Sequence, residues 1–229
     1  MLMADTKMSD AWIADMWKKF PCRPSPTVEG NFLTGPVRLS YPKLFERGKA
    51  RKDGSQGDYG VLALAPEGAD ISLLERACAD AIIAKWPNAG KPGGPKVKRA
   101  IKDQEDLQGR PGTMAGSKMF NANAKKQAPG IFDHFNKKLE NRDAVYPGCW
   151  AILVVRPYTY DVDNQKGVTF GLQSVTILPI EDIDIGTGTS GSAKEYEGMD
   201  LSGFADPNAV FGAGGDAGED KAALDELYG

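Results

Sequence analysis

"GCWAILVVRPYTYDVDNQKGVTFGLQSVTIL", residues 148–178, sets two apolar runs on either side of a polar turn. The first run is nearly continuous until Arg156, and Pro157 predicts an edge position or a bulge beyond Val155. "DVDNQKG" turns the chain. In the second run Val168, Phe170 and Leu172 share one parity, while Val175 and Ile177 share the other. Successive side chains on a strand face opposite ways, so the inward phase slips by one near Gln173–Ser174. A β-bulge produces that slip. A flat sheet does not need it, whereas the corner of a small closed barrel does.

Upstream, "PVRLSY" alternates Val37, Leu39 and Tyr41 with Arg38 and Ser40, a half-buried strand. "YGVLALA" reads as its hairpin partner. The Gly-rich loop between them would carry Arg47, Lys49, Arg51 and Lys52 at its tip. Residues 70–86 form the best helix, with the stripe Leu74, Cys78, Ala81, Ile82 and Lys85. Ser72 and Glu75 make a capping box, Asp70 is the alternative cap, and Pro87 ends the helix. Cys78 falls on the stripe as a small core residue. A second, shorter helix over residues 9–20 places Trp12, Ile13, Met16, Trp17 and Phe20 at helical spacing, for docking on the body or on another subunit. "PCRPSPTVEG" reads as a linker. Residues 88–147 are long for structureless loop, so short strands or a single turn are expected there. After Ile185 the composition turns to Gly, Ser, Asp and Ala, that of a flexible tail. The expected organisation is an N-terminal extension over 1–29, a domain over 30–185 and an acidic tail over 186–229.

The net charge of −3 conceals an asymmetry. Residues 181–229 hold twelve acids and two bases, a net −10, which leaves +7 on residues 1–180. The body attracts polyanions, and the tail repels them or takes their place when they are absent. The three cysteines, Cys22, Cys78 and Cys149, are far apart and include no CxxC pair, and His134 is the sole histidine. That pattern argues against a disulfide framework and against a structural zinc site, and it fits a reducing cytoplasm. No apolar run approaches the roughly 20 residues a membrane span requires, and no secretory signal opens the chain.

Two classes of function compete. "DQED" supplies Asp103, Glu105 and Asp106, raw material for a metal-dependent nuclease, but a carboxylate run in a loop lacks the rigid convergence such sites use. "GKPGGPK" lacks the spacing that cradles a triphosphate. Binding has more support. The body presents Arg47/Lys49/Arg51/Lys52, Lys96/Lys98/Arg99/Lys102 and Lys118/Lys125/Lys126, with Lys137/Lys138/Arg142 as a fourth cluster. Tyr41, Phe45, Tyr59, Phe120, Trp150, Tyr158 and Tyr160 lie among or near them, and Tyr158 and Tyr160 share one strand face. Rings beside cations form a stacking platform in an electrostatic groove, the arrangement that suits single-stranded nucleic acid. Trp150 is assigned to the core. "SKMFNANAKKQAPG", residues 117–130, is read as a loop and strand edge that offers Phe120 to a base. Near the end, Asp225, Glu226, Leu227 and Tyr228 read as a short docking motif for a protein partner.

"GPVRLSYPKLFE", "GSKMFNANAKKQAPGIFD" and "VYPGCWAILVVRPYTYDVDNQKGVTFGLQSV" resemble a family of bacteriophage single-stranded DNA-binding proteins with an OB-type barrel. The likeness runs from about Gly35 to Asp184. It implies a mainly β fold with one substantial helix, a five-stranded OB-like barrel and a flexible acidic tail. It also implies sequence-tolerant binding and protection of single-stranded DNA in phage replication and recombination, without catalysis or cofactor, in the cytoplasm of the infected bacterial host. Replication or recombination proteins would dock on the tail, and self-association is compatible with the family. A strand-annealing recombination mediator is the neighbouring alternative. The motif glycines and apolar residues mark the fold rather than the groove, so no DNA contact is carried over from the family.

Overall fold

Helix α1 (Asp10–Lys19) opens the described part of the chain. The computed structural model describes residues 10–50, 54–103, 118–162 and 165–179. Arg51, Lys52, Glu105, Asp106 and the tail residues Asp225, Glu226, Leu227 and Tyr228 lie outside them.

After α1 come β1 (Arg23–Pro24), β2 (Phe32–Leu33), β3 (Val37–Lys43), β4 (Tyr59–Ala65) and helix α2 (Ser72–Lys85). Then follow β5 (Val97–Lys98), β6 (Ile101–Asp103), β7 (Lys118–Ala124), β8 (Gly130–Phe132) and a 3-10 turn over Arg142–Ala144. The long strands β9 (Trp150–Val162) and β10 (Gln165–Ile177) close the series. The fold is mainly β with two helices.

Hydrogen-bonded neighbours run β9–β3–β4–β7–β10, and β10 pairs back with β9, so five strands form a closed ring. The register shift that sequence parity requires lies between Leu172 and Ser174. Leu172 faces Val155, Ser174 faces Val154, and Gln173 is the extra residue. The slip keeps Val168, Phe170, Leu172, Val175 and Ile177 all buried. Pro157 sits in the half of β9 that pairs with β10 alone among the described strands, so its missing N–H breaks no ladder on the other side.

The interior is aromatic at its centre. Trp150 is 1% exposed, and Phe120 meets Phe170 edge to face with ring centroids 5.0 Å apart. Such a pair adds about 0.5–1.5 kcal/mol beyond burial. Here the structure corrects the sequence reading. Residues 118–124 are not a loop but a central strand between β4 and β10, and Phe120 is 1% exposed. Small residues on β4 make the room, since Ala63 faces Phe120 across the ladder.

The ends of the chain's elements show two more departures. Ser72 and Glu75 form no capping box. Ile71 is the N-cap, without a side-chain cap. Asp70, one residue earlier, accepts the Ser72 N–H on Oδ1 at 3.0 Å, and hydrogen bonds from the Ser72 hydroxyl and N–H hold its carboxyl below the ordinary range. The linker contains β1, which pairs with β2. Helix α1 buries Ile13 and Trp17 in the core of the body. Trp17 Nε1 donates to the Pro36 carbonyl at 2.8 Å, and a Cβ at Gly35 would lie 2.6 Å from the indole, so only glycine admits the ring there. Burial pushes the Cys78 thiol up to about 12 and the Cys22 thiol up to about 11. Both are therefore poor nucleophiles at neutral pH.

Candidate nucleic-acid interface

Beyond Val155 the outward side chains of β9 are Arg156, Tyr158, Tyr160 and Val162. Their partners on β10 are Gly171, Thr169, Gly167 and Gln165. Arg156, which the sequence reading passed over as the end of an apolar run, stands in the same row as the two tyrosines. The glycine opposite Tyr160 is not incidental. A Cβ at Gly167 would lie 2.3 Å from the Cζ and hydroxyl oxygen of Tyr160, so that ring lies across the glycine. Gly171 also borders the Tyr158 ring, but a Cβ there would lie 3.6 Å from Cδ1, an ordinary contact. Gly167 thus gives the Tyr160 ring one face against the sheet. Gly167 therefore shapes the surface beside Tyr160 as well as the strand pairing.

Cations reach this row because β7 and β10 diverge. The two strands pair directly only through Ala122–Asn123 and Phe170–Gly171. Where they part, β5 lies along β10 at Lys166–Gly167 and β6 along β7 at Lys118–Phe120. The β5–β6 segment brings Lys98, Arg99 and Lys102 beside Lys125, Tyr158 and Tyr160 around a cleft of about 330 Å³. Lys98 Nζ donates to Gln165 Oε1 at 2.7 Å.

A larger cleft of about 570 Å³ continues across β7 and β4 to Tyr41, Lys43 and Lys49. The two clefts share Asp58, Ala100, Lys102, Asn121 and Asn123, so they form one continuous groove across the strands. Asn121 and Asn123 point outward from β7, with amides that can both donate and accept. Gly60 is needed opposite them, since a Cβ there would lie 2.3 Å from Asn123 Oδ1.

Of the cations and rings expected from sequence, Lys49, Lys98, Arg99, Lys102, Lys125, Tyr158 and Tyr160 come together in this groove. Others do not. Phe120 borders the larger cleft from below, but it is 1% exposed and its ring packs on Phe170 in the core. Lys118 turns to a separate pocket beside α2, with Glu75 and Cys78, and pairs with Asp103 at 2.5 Å. That hydrogen bond raises the lysine's pKa. Arg47 is held by carbonyls: it donates to Gly57 at 3.2 Å, Lys125 at 2.8 Å and Lys126 at 3.1 Å. Its guanidinium also stacks on Tyr59, 4.8 Å from the ring centroid. Arg47 and Tyr59 therefore brace the groove's rim rather than line it. Lys96 and Lys126 are exposed outside the lining, and Arg142 pairs with Glu46.

Sequence reading missed Asn121 and Asn123, since lone amides carry no signal until a strand puts them in a row. Tyr41 and Lys43 were also absent from the expected site. No group of three or more metal-ligating side chains occurs among the described residues.

The family model described as the Enterobacter phage Enc34 ssDNA-binding protein matches residues 31–204. A solved structure of the single-stranded DNA-binding protein from bacteriophage Enc34 in complex with ssDNA superposes with a TM-score of 0.57. Identity is 22%, over 72% of this chain and 99% of that one. A second structure of that phage protein gives a TM-score of 0.54 at 23% identity, over 76% and 98% of the two chains. A C-terminal truncation of it gives 0.54 at 22%, over 69% and 95%. At such identities the superpositions speak to the fold. No curated protein matches the chain. Because the family model spans well over half of its residues, the chain belongs to the Enc34 single-stranded-DNA-binding protein family.

Proposed function

We propose that the chain binds and protects single-stranded DNA during phage DNA replication and recombination, without covalent chemistry, in the cytoplasm of the infected bacterial host. Family membership supports the substrate class. The observation that carries the reading is the continuous groove, with outward tyrosines at one end and lysines along its length. Unpaired bases stack on rings, phosphates sit by lysines, and neither contact reads sequence. The closed five-strand ring supports assignment to the OB type, whose open face binds oligonucleotides. A nuclease reading has no comparable support, since Asp103 is engaged with Lys118.

The tail is assigned a double role: a tethered competitor for the groove and a docking peptide for replication or recombination proteins through Asp225, Glu226, Leu227 and Tyr228. The net charge of −10 over residues 181–229, of which −7 lies beyond Gly186, supports the first role.

Titration of the full chain and of a chain ending at Gly186 with oligo-dT, and with a duplex of equal length, tests both assignments. Expected are preferential binding of the single strand, intact DNA after incubation with magnesium, and tighter low-salt binding once the tail is removed. Equal affinity for duplex, or cleavage, overturns the function. Unchanged low-salt affinity after truncation overturns the competitor role.

A further inference from the structure

Alternation along β3 predicts Tyr41 on the buried side with Val37 and Leu39, yet it is 45% exposed while Ser40 is 5% exposed. The reason lies in the ladder. Ser40 faces Leu62 and Lys43 faces Gly60, so Tyr41 and Pro42 together oppose the single residue Val61. This is a bulge, and its first residue has φ +49°. In bulges with a left-handed first position, glycine is the ordinary occupant, because a Cβ there crowds the backbone. Asn136 is the other non-glycine with positive φ among the described residues. It sits in a tight turn bonded to Asp133, and asparagine tolerates that conformation. Tyrosine does not tolerate it well.

A bulky residue kept in a strained conformation calls for a reason beyond packing, and Tyr41 stands outside the core cluster, nearly half exposed. What the strain does achieve is position. It turns the ring out of the core into the groove beside Lys43 and Lys49, at the end away from Tyr158 and Tyr160. We infer that Tyr41 forms a second base-stacking subsite, which takes one unpaired nucleobase while Lys43 and Lys49 take the adjoining phosphates. The subsite rests on the proposed single-strand function and extends it: DNA is held by rings at both ends of the groove, with Asn121, Asn123 and Lys102 between them.

Three variants of the full chain test it: Tyr41→Phe, Tyr41→Ala and Tyr41→Gly. Losing the stack should weaken oligo-dT binding roughly 5- to 150-fold in the Ala and Gly variants, with Tyr41→Phe near wild type. An oligonucleotide of abasic sites should not distinguish the variants. Glycine relieves the strain that alanine keeps, so Tyr41→Gly should unfold about 2–4 °C above Tyr41→Ala, a readout of the backbone strain apart from the ring. Ala and Gly affinities within two-fold of wild type, while Tyr160→Ala binds weakly, overturn the subsite and leave the rest of the groove intact. An Ala variant melting above the Gly variant overturns the strain argument. A wild-type chain that fails to bind oligo-dT fails at the function itself, a result the Tyr41 variants cannot mimic.

Discussion

The two ends of the groove place their rings by opposite means. At the β9–β10 end, strand geometry is regular: Tyr158 and Tyr160 alternate outward in register, and Gly167 makes room for Tyr160. At the β3 end, geometry is broken, and Tyr41 reaches the surface through a bulge and a strained φ. The regular end costs the fold little, because β9 and β10 would pair the same way with other outward residues. The irregular end carries a cost of order 1–3 kcal/mol in the folded protein. A position reached by alternation tolerates mutation without loss of structure. A position reached by strain ties stability to function with opposite signs.

Phe120, under the floor between the two ends, provides the sharpest contrast. If it is core, Phe120→Ala should cost about 3–5 kcal/mol of stability, seen as a large fall in denaturation midpoint. A variant that folds normally yet loses DNA affinity would return Phe120 to the groove and break the comparison. A smaller effect is expected at the regular end. Gly167→Ala should displace the Tyr160 ring and weaken oligo-dT binding by as much as Tyr160→Ala, about 1–3 kcal/mol. In a Tyr160→Ala background the same substitution should do almost nothing. Additive losses in this double-mutant cycle would show that the glycine does not act through the ring. The smallest effect belongs to Lys102, shared by both ends. Lys102→Ala should lower the slope of log K against log salt by roughly 0.7, one phosphate contact, whichever end of the groove is otherwise impaired. A slope that does not move would place Lys102 outside the DNA path.

Much of the regular end could be read from the sequence. Parity located the bulge near Gln173–Ser174, and it put Tyr158 and Tyr160 on one face, because both follow from period-two alternation within a single strand. The irregular end could not be read, for the same reason: alternation assigned Tyr41 inward, and nothing in "LSYPK" shows that two residues will oppose one. Phe120 was misplaced because "KMFNANA" has polar residues on its outer face and only two large apolar ones. It reads as loop until β4 and β10 are known to flank it. Arg47 counted as a groove cation because charge is visible in sequence, whereas the carbonyls of Gly57, Lys125 and Lys126 that hold it are not. Lys118 was lost to Asp103 in the same way, by a partner that only the β6–β7 pairing supplies.

The closed ring also has a consequence in time. Thr34, just ahead of β3, ties that end of the chain to β9 twice, its N–H donating to the Leu153 carbonyl at 2.9 Å and its Oγ1 accepting from the Leu153 N–H at 2.9 Å. These residues stand 119 positions apart in the chain. Closing a loop of that length is entropically slow, and it must precede the contacts that reward it. During synthesis, β3 and β4 emerge long before β9 exists to cover the open edge of β3. Folding should therefore be limited by arrival of the C-terminal hairpin, and the groove, whose tyrosines sit on that hairpin, becomes competent only when the ring shuts.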